Sequence, residues 1–231
     1  MKNKIINYAL CLISLISTAV AMPYLPDRVA MHFDVSGAVD RYGSKYEMFI
    51  FPLVLIIINV AFELAFKRKA AESDSDRDIQ SAKSNFKVSA VSATALSLVM
   101  VPLNFGMLYL AFLGADSVES MPFDMMGIIS ALLGFAIIVM GNYMPKTKAN
   151  SLVGFRCKWT KYNEVTWQKS NRFGAYVMIA AGAISSLCGI VVGGMPSIIL
   201  LFSSLIVATA ASLIYAYVIY KKESANVEAE K

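Results

Sequence analysis

The sequence that decides the fold lies near the carboxyl end, where residues 196–220 read PSIILLFSSLIVATAASLIYAYVIY without one charged side chain. About 20 apolar residues in a helix cross the roughly 30 Å hydrocarbon core of a bilayer. The apolar residues do not alternate with polar ones, as the strands of a membrane barrel require. This stretch therefore predicts a transmembrane helix.

Five further apolar blocks precede this one, and short charged or proline- and glycine-containing segments separate them. The whole chain is 57% hydrophobic and has a mean hydropathy of +0.59. Helices satisfy all their backbone polar groups within the lipid, which open loops cannot do. We therefore predict an all-α membrane protein with six transmembrane helices. The predicted spans are 4–22, 48–66, 88–113, 124–143, 173–192 and 196–220.

The first span also resembles a secretory signal, because Ala19-Val20-Ala21 follows the small-x-small pattern of a cleavage site. Its apolar region is longer than the usual core of a signal peptide, and five further spans follow it. We expect a retained helix, and the sequence leaves cleavage open as the alternative.

The spans divide the chain into three parts. Residues 1–66 hold the first two helices and a polar loop at 23–46, where proline and glycine predict an ordered turn-rich segment. Residues 67–87 are charged and rich in serine and aspartate, which predicts a flexible linker. Residues 88–231 hold the other four helices and a large basic loop at 144–172.

Basic residues are distributed unevenly between the two ends of the spans. The amino terminus, residues 67–87, the loop 144–172 and the carboxyl tail carry 18 of the 21 lysines and arginines, and the loop 23–46 carries the other 3. Cytoplasmic segments are enriched in such residues, so both termini and the loop 144–172 are predicted to be cytoplasmic and the loop 23–46 extracellular. The net charge of +5 thus follows from topology, and no direct nucleic acid binding is expected.

The extracellular loop contains the only histidine of the chain, His32. The residues from Val29 to Asp34 alternate between apolar and polar side chains, which predicts a short half-buried strand followed by a turn at 35–37. His32, Asp34 and Asp40 could form a weak metal site or a polar reaction centre, but their spacing requires neither. We predict no metal site, no cofactor and no catalytic residue.

The basic loop contains both tryptophans, seven basic residues and one acidic residue. Such mixtures favour the anionic inner surface of a membrane, so the loop is interpreted either as a membrane anchor or as a docking surface for a cytosolic partner. Cys157 has no histidine nearby to act as its base, which argues against a cysteine enzyme. Glu63 lies near the predicted membrane surface, and the absence of deeper charges argues against an ion-coupled transporter.

Two stretches resemble the SdpI family of bacterial membrane immunity proteins. The basic loop is similar in order and spacing to the family pattern G-N-x-x-P, G-[IL]-R-T-P-W-T and E-x-x-W, although Cys157-Lys158 and Lys161-Tyr162 depart from it. The extracellular segment from Leu25 to Lys45 resembles a small domain of unknown function that often precedes this pattern. The matching residues of the loop are Gly141-Asn142-Tyr143-Met144-Pro145-Lys146, Asn150, Gly154-Phe155-Arg156, Trp159-Thr160, Asn163-Glu164, Trp167 and Asn171-Arg172-Phe173-Gly174.

The resemblance implies a non-enzymatic protein of the bacterial cytoplasmic membrane that protects against a secreted, SDP-like antimicrobial peptide. It also implies signalling, in which a cytosolic transcriptional autorepressor is held at the membrane when the toxin is present. The expected partners are the lipid bilayer, the peptide and the repressor. A membrane enzyme acting on lipid or cell-wall precursors and a small exporter are the alternatives.

The resemblance also supplies the candidate binding residues. Those of the basic loop are Asn142, Pro145, Asn150, Gly154, Arg156, Trp159, Thr160, Glu164, Trp167 and Arg172. Those of the extracellular loop are Pro26, His32, Gly37, Asp40 and Arg41.

Overall fold

The computed structural model describes residues 2–34, 36–71, 76–150 and 152–229. Six long helices and one antiparallel pair of strands account for most of them. The helices are α1 (Lys2–Ala21), α2 (Ile50–Ala71), α3 (Asp76–Leu113), α4 (Met125–Tyr143), α5 (Glu164–Val191) and α6 (Gly194–Ala229), and the strands are β1 (Arg28–Phe33) and β2 (Val39–Ser44). All six helices are long and apolar enough to cross a membrane, which confirms the predicted architecture.

The helices alternate in direction, so the connecting segments collect at two ends of the bundle. The hairpin side carries β1, β2, the α3–α4 loop and the α5–α6 turn, where the backbone N–H of Gly194 donates to the Asp124 carboxylate at 2.7 Å. The basic-loop side carries the basic loop, of which residues 144–163 precede α5. There Asn85 of α3 holds the backbone of Lys148.

Helices α4 and α5 pack with their backbones in contact along a seam of glycines. Gly127 and Gly134 of α4 are seven residues apart, as are Gly182 and Gly189 of α5. A β-carbon on Gly182 would lie 2.6 Å from the carbonyl oxygen of Gly134, and one on Gly189 would lie 2.6 Å from that of Gly127. Small residues at a membrane interface allow this approach and the van der Waals contact that comes with it.

Helices α1 and α3 are joined by polar side chains instead. The Thr94 hydroxyl donates to the Asn7 side-chain oxygen at 2.6 Å. Nearer the hairpin side, the Asn104 amide donates to the Thr18 hydroxyl at 3.2 Å and to the Ser14 carbonyl at 3.5 Å. Asn104 therefore joins α3 to α1 through its side chain. Such bonds add specificity to helix pairing in lipid, where apolar contacts alone discriminate poorly.

Glu63 lies at the basic-loop end of α2 and is surrounded by partners. Its carboxylate is 2.6 Å from the ammonium groups of both Lys4 and Lys67, and it accepts a bond from the Tyr8 hydroxyl at 2.9 Å. The lysine side chains are 46% and 66% exposed, so the cluster reaches the end of the bundle. This placement agrees with the prediction that Glu63 is an interfacial residue. Asn59, one turn deeper, donates to the backbone of its own helix.

The predicted flexible linker at 67–87 is wrong over its described part. Helix α2 continues to Ala71 and α3 begins at Asp76, twelve residues before the predicted start of that span at Val88; residues 72–75 lie outside the described residues. Hydropathy detects only the part of a helix that lies in lipid. The additional turns are polar. At the end of the added part of α3, Ser84 and Asn85 donate hydrogen bonds to the backbone of the basic loop.

Helix α5 also begins earlier than predicted, at Glu164 instead of Phe173. The side-chain oxygen of Asn163 accepts the backbone N–H of Thr166, and the Thr166 hydroxyl accepts that of Asn163. This reciprocal cap satisfies two backbone donors that the first turn of a helix otherwise leaves free. The irregular part of the basic loop is correspondingly shorter than the predicted 144–172.

Candidate functional site

The basic loop folds over the first two turns of α5. Trp167 is only 2% exposed, and its indole N–H donates to the Thr147 carbonyl oxygen at 3.0 Å. One turn later, the fully buried Asn171 accepts the backbone N–H of Phe155 at 2.7 Å and donates to the Phe155 carbonyl at 3.3 Å. Two side chains of α5 thus replace the backbone partners that an irregular loop lacks.

Gly154 lets the loop backbone pass close to these two side chains. Its φ of +96° is a conformation that residues with a β-carbon seldom adopt. A β-carbon here would lie 2.8 Å from the Asn171 side-chain oxygen, 2.9 Å from the Thr147 hydroxyl and 3.1 Å from the Trp167 ring. The position therefore requires glycine for two independent reasons.

We expect Gly154→Ala to destabilise the folded protein by about 2–4 kcal/mol, since backbone strain costs about 1–3 kcal/mol and the steric overlap adds to it. Gly114→Ala is the matched control, because Gly114 also has a positive φ (+62°) but nothing lies within 4 Å of its β-carbon position. Unfolding of both variants in detergent, titrated with SDS and followed by tryptophan fluorescence, measures the difference. Equal destabilisation would show that the close contacts at Gly154 contribute nothing.

The second half of the basic loop is closed by threonines. The fully buried Thr160 accepts the backbone N–H of Cys157 at 2.9 Å and donates to the Cys157 carbonyl at 3.0 Å. The fully buried Thr166 donates to the Thr160 carbonyl at 3.2 Å. The cysteine is thus part of a tight turn, and no histidine is present in the loop to activate it.

A pair of asparagines fixes the first half of the loop. Asn85 of α3 accepts the backbone N–H of Lys148 at 2.9 Å and donates to its carbonyl at 3.3 Å. Asn150 accepts the N–H groups of Leu152 and Val153 at 2.6 and 2.8 Å. The loop is therefore bound to α3 as well as to α5.

Further contacts of the loop are aromatic and lie against two tyrosines of α6. The Trp159 ring meets Tyr217 edge-on at 5.1 Å, and Tyr162 meets Tyr220 in the same way at 5.0 Å. The ammonium group of Lys158 lies 5.4 Å from the Trp159 ring centre. Trp159 is half-buried between helix and solvent, unlike Trp167.

The residues predicted from the family pattern fall into two groups. Some lie inside the loop and hold its shape: Asn150, Gly154, Thr160 and Trp167. Others lie on the surface of this side: Asn142, Pro145, Arg156, Glu164 and Arg172, with Trp159 between the two groups. The first group is therefore covered by the loop, and only the second group is exposed on the basic-loop side.

Sequence reasoning did not include Asn85, Thr147, Thr166 or Asn171 among the candidate residues. Asn171 and the two threonines lie within or beside the matched family pattern. Polar residues near helix starts were therefore a signal that could have identified them. Asn85 had none, because it lies in the segment predicted to be a flexible linker.

On the hairpin side, the predicted strand is confirmed as β1, and it pairs with β2, which was not predicted. Gly37 turns the chain with a φ of +84°. Residue 35, the first of the predicted turn, lies outside the described residues. The Asp34 carboxylate accepts the Ser36 hydroxyl at 2.6 Å and the Ser36 N–H at 2.8 Å, which lowers the pKa of Asp34. The side chain of Asp34 therefore stabilises the turn that follows β1.

His32 and Asp40 face each other across the hairpin, with Nδ1 and Oδ1 2.7 Å apart and both side chains well exposed. Arg41 forms an ion pair with Glu47 at 3.0 Å, and Pro26 is exposed just before β1. Within the described ranges, no three His, Cys, Asp or Glu side chains come together as metal ligands. The candidate residues of this side form separate surface pairs and no common centre.

The hairpin is hydrogen-bonded to the α3–α4 loop, which belongs to the other half of the chain. The Val39 N–H donates to the Asp116 carbonyl at 3.0 Å, and the Val118 N–H donates to the Gly37 carbonyl at 2.9 Å. The Tyr42 hydroxyl also donates to the Asp116 carboxylate at 2.5 Å, which raises the pKa of Tyr42. The two halves therefore form one continuous surface on this side.

Comparison with known proteins matches two separate regions of the chain. Residues 9–56 match a domain of unknown function, DUF1648, and residues 146–216 match the SdpI/YfhL protein family. The chain is 24% identical over 225 residues to the immunity protein SdpI of Bacillus subtilis (strain 168), which covers 96% of this chain and 98% of that protein. No solved structure matches. The chain is a multi-pass cell membrane protein that is similar to the SdpI/YfhL family over residues 146–216 and to DUF1648 over residues 9–56.

Proposed function

We propose that this protein is a non-enzymatic membrane immunity protein that gives the cell resistance to a secreted antimicrobial peptide. The observation that carries the proposal is similarity to the immunity protein SdpI over nearly the full length of both chains. The two family matches, at residues 9–56 and 146–216, both lie within this similarity.

The proposed orientation follows from charge. The segments of the basic-loop side carry 18 of the 21 lysines and arginines, so this side faces the cytoplasm and the hairpin side faces outward. A peptide that attacks the membrane from outside then meets the hairpin side first. A cytosolic regulator meets only the basic-loop side.

The structure favours binding over catalysis as the basis of protection. The only histidine is exposed and paired with Asp40, and Asp34 is occupied by its own turn. Cys157 lies in a turn closed by Thr160. General acid–base and nucleophilic catalysis need such groups gathered around one reacting atom. In this protein, His32 and Asp34 lie on one side of the proposed membrane and Cys157 lies on the other.

The second part of the proposal is that the basic-loop side holds a transcriptional repressor when the peptide is bound. A polar cleft of about 460 Å³ opens there between the start of α3 and the start of α5, lined by Ser81, Lys148 and Gln168 among others. The exposed side chains of Arg156 and Lys158 lie on the same side. Signalling requires that the peptide bind one conformation of the protein more tightly than another.

Survival of a peptide-sensitive Gram-positive strain tests the function. Cells that express the protein are challenged with a purified SDP-type peptide and compared with an empty vector, with membrane levels matched by immunoblot. We expect the wild-type protein to raise survival. Arg156→Ala is expected to lower this protection, and Lys161→Ala, an exposed cation of the same loop, serves as its matched control. Survival equal to the empty vector, with the protein present in the membrane, would reject immunity to this class of peptide.

A further inference from the structure

The hairpin side contains a cleft of about 530 Å³ that the candidate residues from the sequence do not explain. Three segments form its walls: the hairpin turn at Gly37, the α3–α4 loop and the α5–α6 turn at Gly194. Its position is fixed by the hydrogen bonds from Val118 to Gly37 and from Gly194 to Asp124. The cleft is open to solvent on the proposed outer face.

A second, apolar groove of about 650 Å³ lies directly beside it, between α1, α3 and α4. Phe105, Tyr109 and Phe112 of the last turns of α3 form one wall, and Ser17 of α1 forms part of the other. These residues belong to membrane-spanning segments, so the groove opens into the half of the bilayer that adjoins the hairpin side.

The cleft and the groove adjoin each other at Phe123 and Met125, which line both. Phe123 is 46% exposed at the entrance of α4, where the aqueous loop becomes a membrane helix. A single ligand can therefore lie with one part at the water surface and another in the hydrocarbon. This is the arrangement that an amphipathic segment entering a membrane requires.

The side chains of the cleft indicate the chemistry of the ligand. Four of the lining residues are methionines, which adapt to varied apolar partners: Met121, Met125, Met126 and Met195. The charged residues that line it are Glu119 and Asp124, and none of its lining residues in the described part of the chain is basic. Both Asp124 carboxylate oxygens already accept backbone N–H groups, so the exposed Glu119 supplies the charge available to a ligand.

We propose that this composite site binds the peptide itself, with an apolar segment in the groove and a positively charged group, such as the α-amino group, beside Glu119. The inference rests on the proposed immunity function and deepens it by naming the binding site. A phospholipid suits the site less well, because its phosphate would approach two carboxylates without a basic partner. Protection then follows from holding the peptide at the outer surface, out of its active form in the bilayer.

Photo-crosslinking tests the contact directly. The full-length protein in nanodiscs carries p-benzoylphenylalanine in place of Phe123 or Phe112, and a fluorescent SDP-type peptide is the probe. Phe202 provides the matched control, since it is 59% exposed on α6 and lines neither cavity. We expect strong crosslinks at the first two positions and only background at the third. Equal crosslinking at all three positions would show non-specific contact in the bilayer and overturn the site.

Groove-filling variants test its role in cells. Ser17→Phe places a ring in the groove, and Ala19→Phe places the same ring on an exposed face of the same helix. Excluding one apolar side chain of the peptide is expected to weaken binding by about tenfold to a hundredfold and to lower survival of the Ser17 variant alone. Equal protection by both variants would overturn the site and leave the immunity function standing. Failure of the wild-type protein to protect would overturn the function as well.

Discussion

Trp167→Ala is expected to destabilise the protein by about 3–5 kcal/mol, the largest single effect that we foresee at the basic loop. The side chain is 2% exposed, and its removal leaves a cavity beneath the loop. It also leaves the Thr147 carbonyl without its indole donor, which lies 3.0 Å away in the folded protein. Immunity should be lost as well, because the surface residues of the loop depend on this packing.

Two further variants separate packing from hydrogen bonding at this position. Trp167→Phe keeps an aromatic ring but removes the indole N–H together with part of the bicyclic ring, so it should cost about 1–3 kcal/mol, less than Trp167→Ala. Trp159→Ala removes the other tryptophan, which is half-buried against Tyr217, and should cost less than Trp167→Ala. SDS titration in detergent micelles, followed by circular dichroism, gives all three values. A loss at Trp159 as large as that at Trp167 would contradict the assignment of Trp167 as the core of the loop.

Gly182→Val is expected to cost at least about 3 kcal/mol and to reduce the amount of folded protein in the membrane. Its β-carbon would lie 2.6 Å from the Gly134 carbonyl and 3.0 Å from the backbone nitrogen of Ile138. Both neighbours are backbone atoms of α4, so no rotamer change relieves the overlap and the helices must separate. The reciprocal change Gly134→Val should have the same effect, since its β-carbon would lie 2.5 Å from the Gly182 carbonyl.

The neighbouring residue supplies the control for this prediction. Ala183→Val adds the same kind of branched side chain one position along α5, where the helix surface is exposed. We expect Ala183→Val to remain within about 0.5 kcal/mol of the wild type, as surface substitutions usually do. Size-exclusion chromatography of the membrane extract and SDS unfolding compare the two variants. A Gly182 variant that behaves like the Ala183 variant would mean that α4 and α5 are not in backbone contact.

The membrane spans could be predicted because hydropathy depends only on the residues of each span. Because hydropathy registers only apolar spans, it did not indicate the polar first turns of α3 and α5. Asn85 acts there through hydrogen bonds to the distant Lys148, and Asn163 through a local cap with Thr166. Neither contact leaves a periodic pattern in the sequence.

The basic loop was located correctly from its family pattern, but the part that each residue plays was not evident. Gly154, Thr160 and Trp167 were candidates for binding, and the structure places them in the interior of the loop. A sequence pattern records that a residue is needed without recording whether it faces a partner or the protein. The role of the exposed residues, Arg156 above all, stays a prediction.

Gly37 was a candidate residue of the cleft on the hairpin side, but the other walls of this cleft could not be predicted. Its walls come from residues near Gly37, Phe123 and Gly194, which are separated by long stretches of chain and carry no shared motif. Each segment is an ordinary short loop when it is considered alone. Only the alternation of six helices brings the three segments to the same end of the bundle.

The polar contacts between α1 and α3 have a consequence for the biogenesis of the protein. Asn7 and Thr94 are 87 residues apart, and Thr18 and Asn104 are 86 apart. At a synthesis rate of about 5–20 residues per second, α1 is complete roughly 4–17 s before its partner residues exist. If α1 enters the bilayer as it is made, the side chains of Asn7 and Thr18 lack their α3 partners until α3 has been synthesised. Translation then sets the earliest time at which α1 and α3 can pair. During this interval the insertion machinery can shield the polar side chains of α1 from lipid.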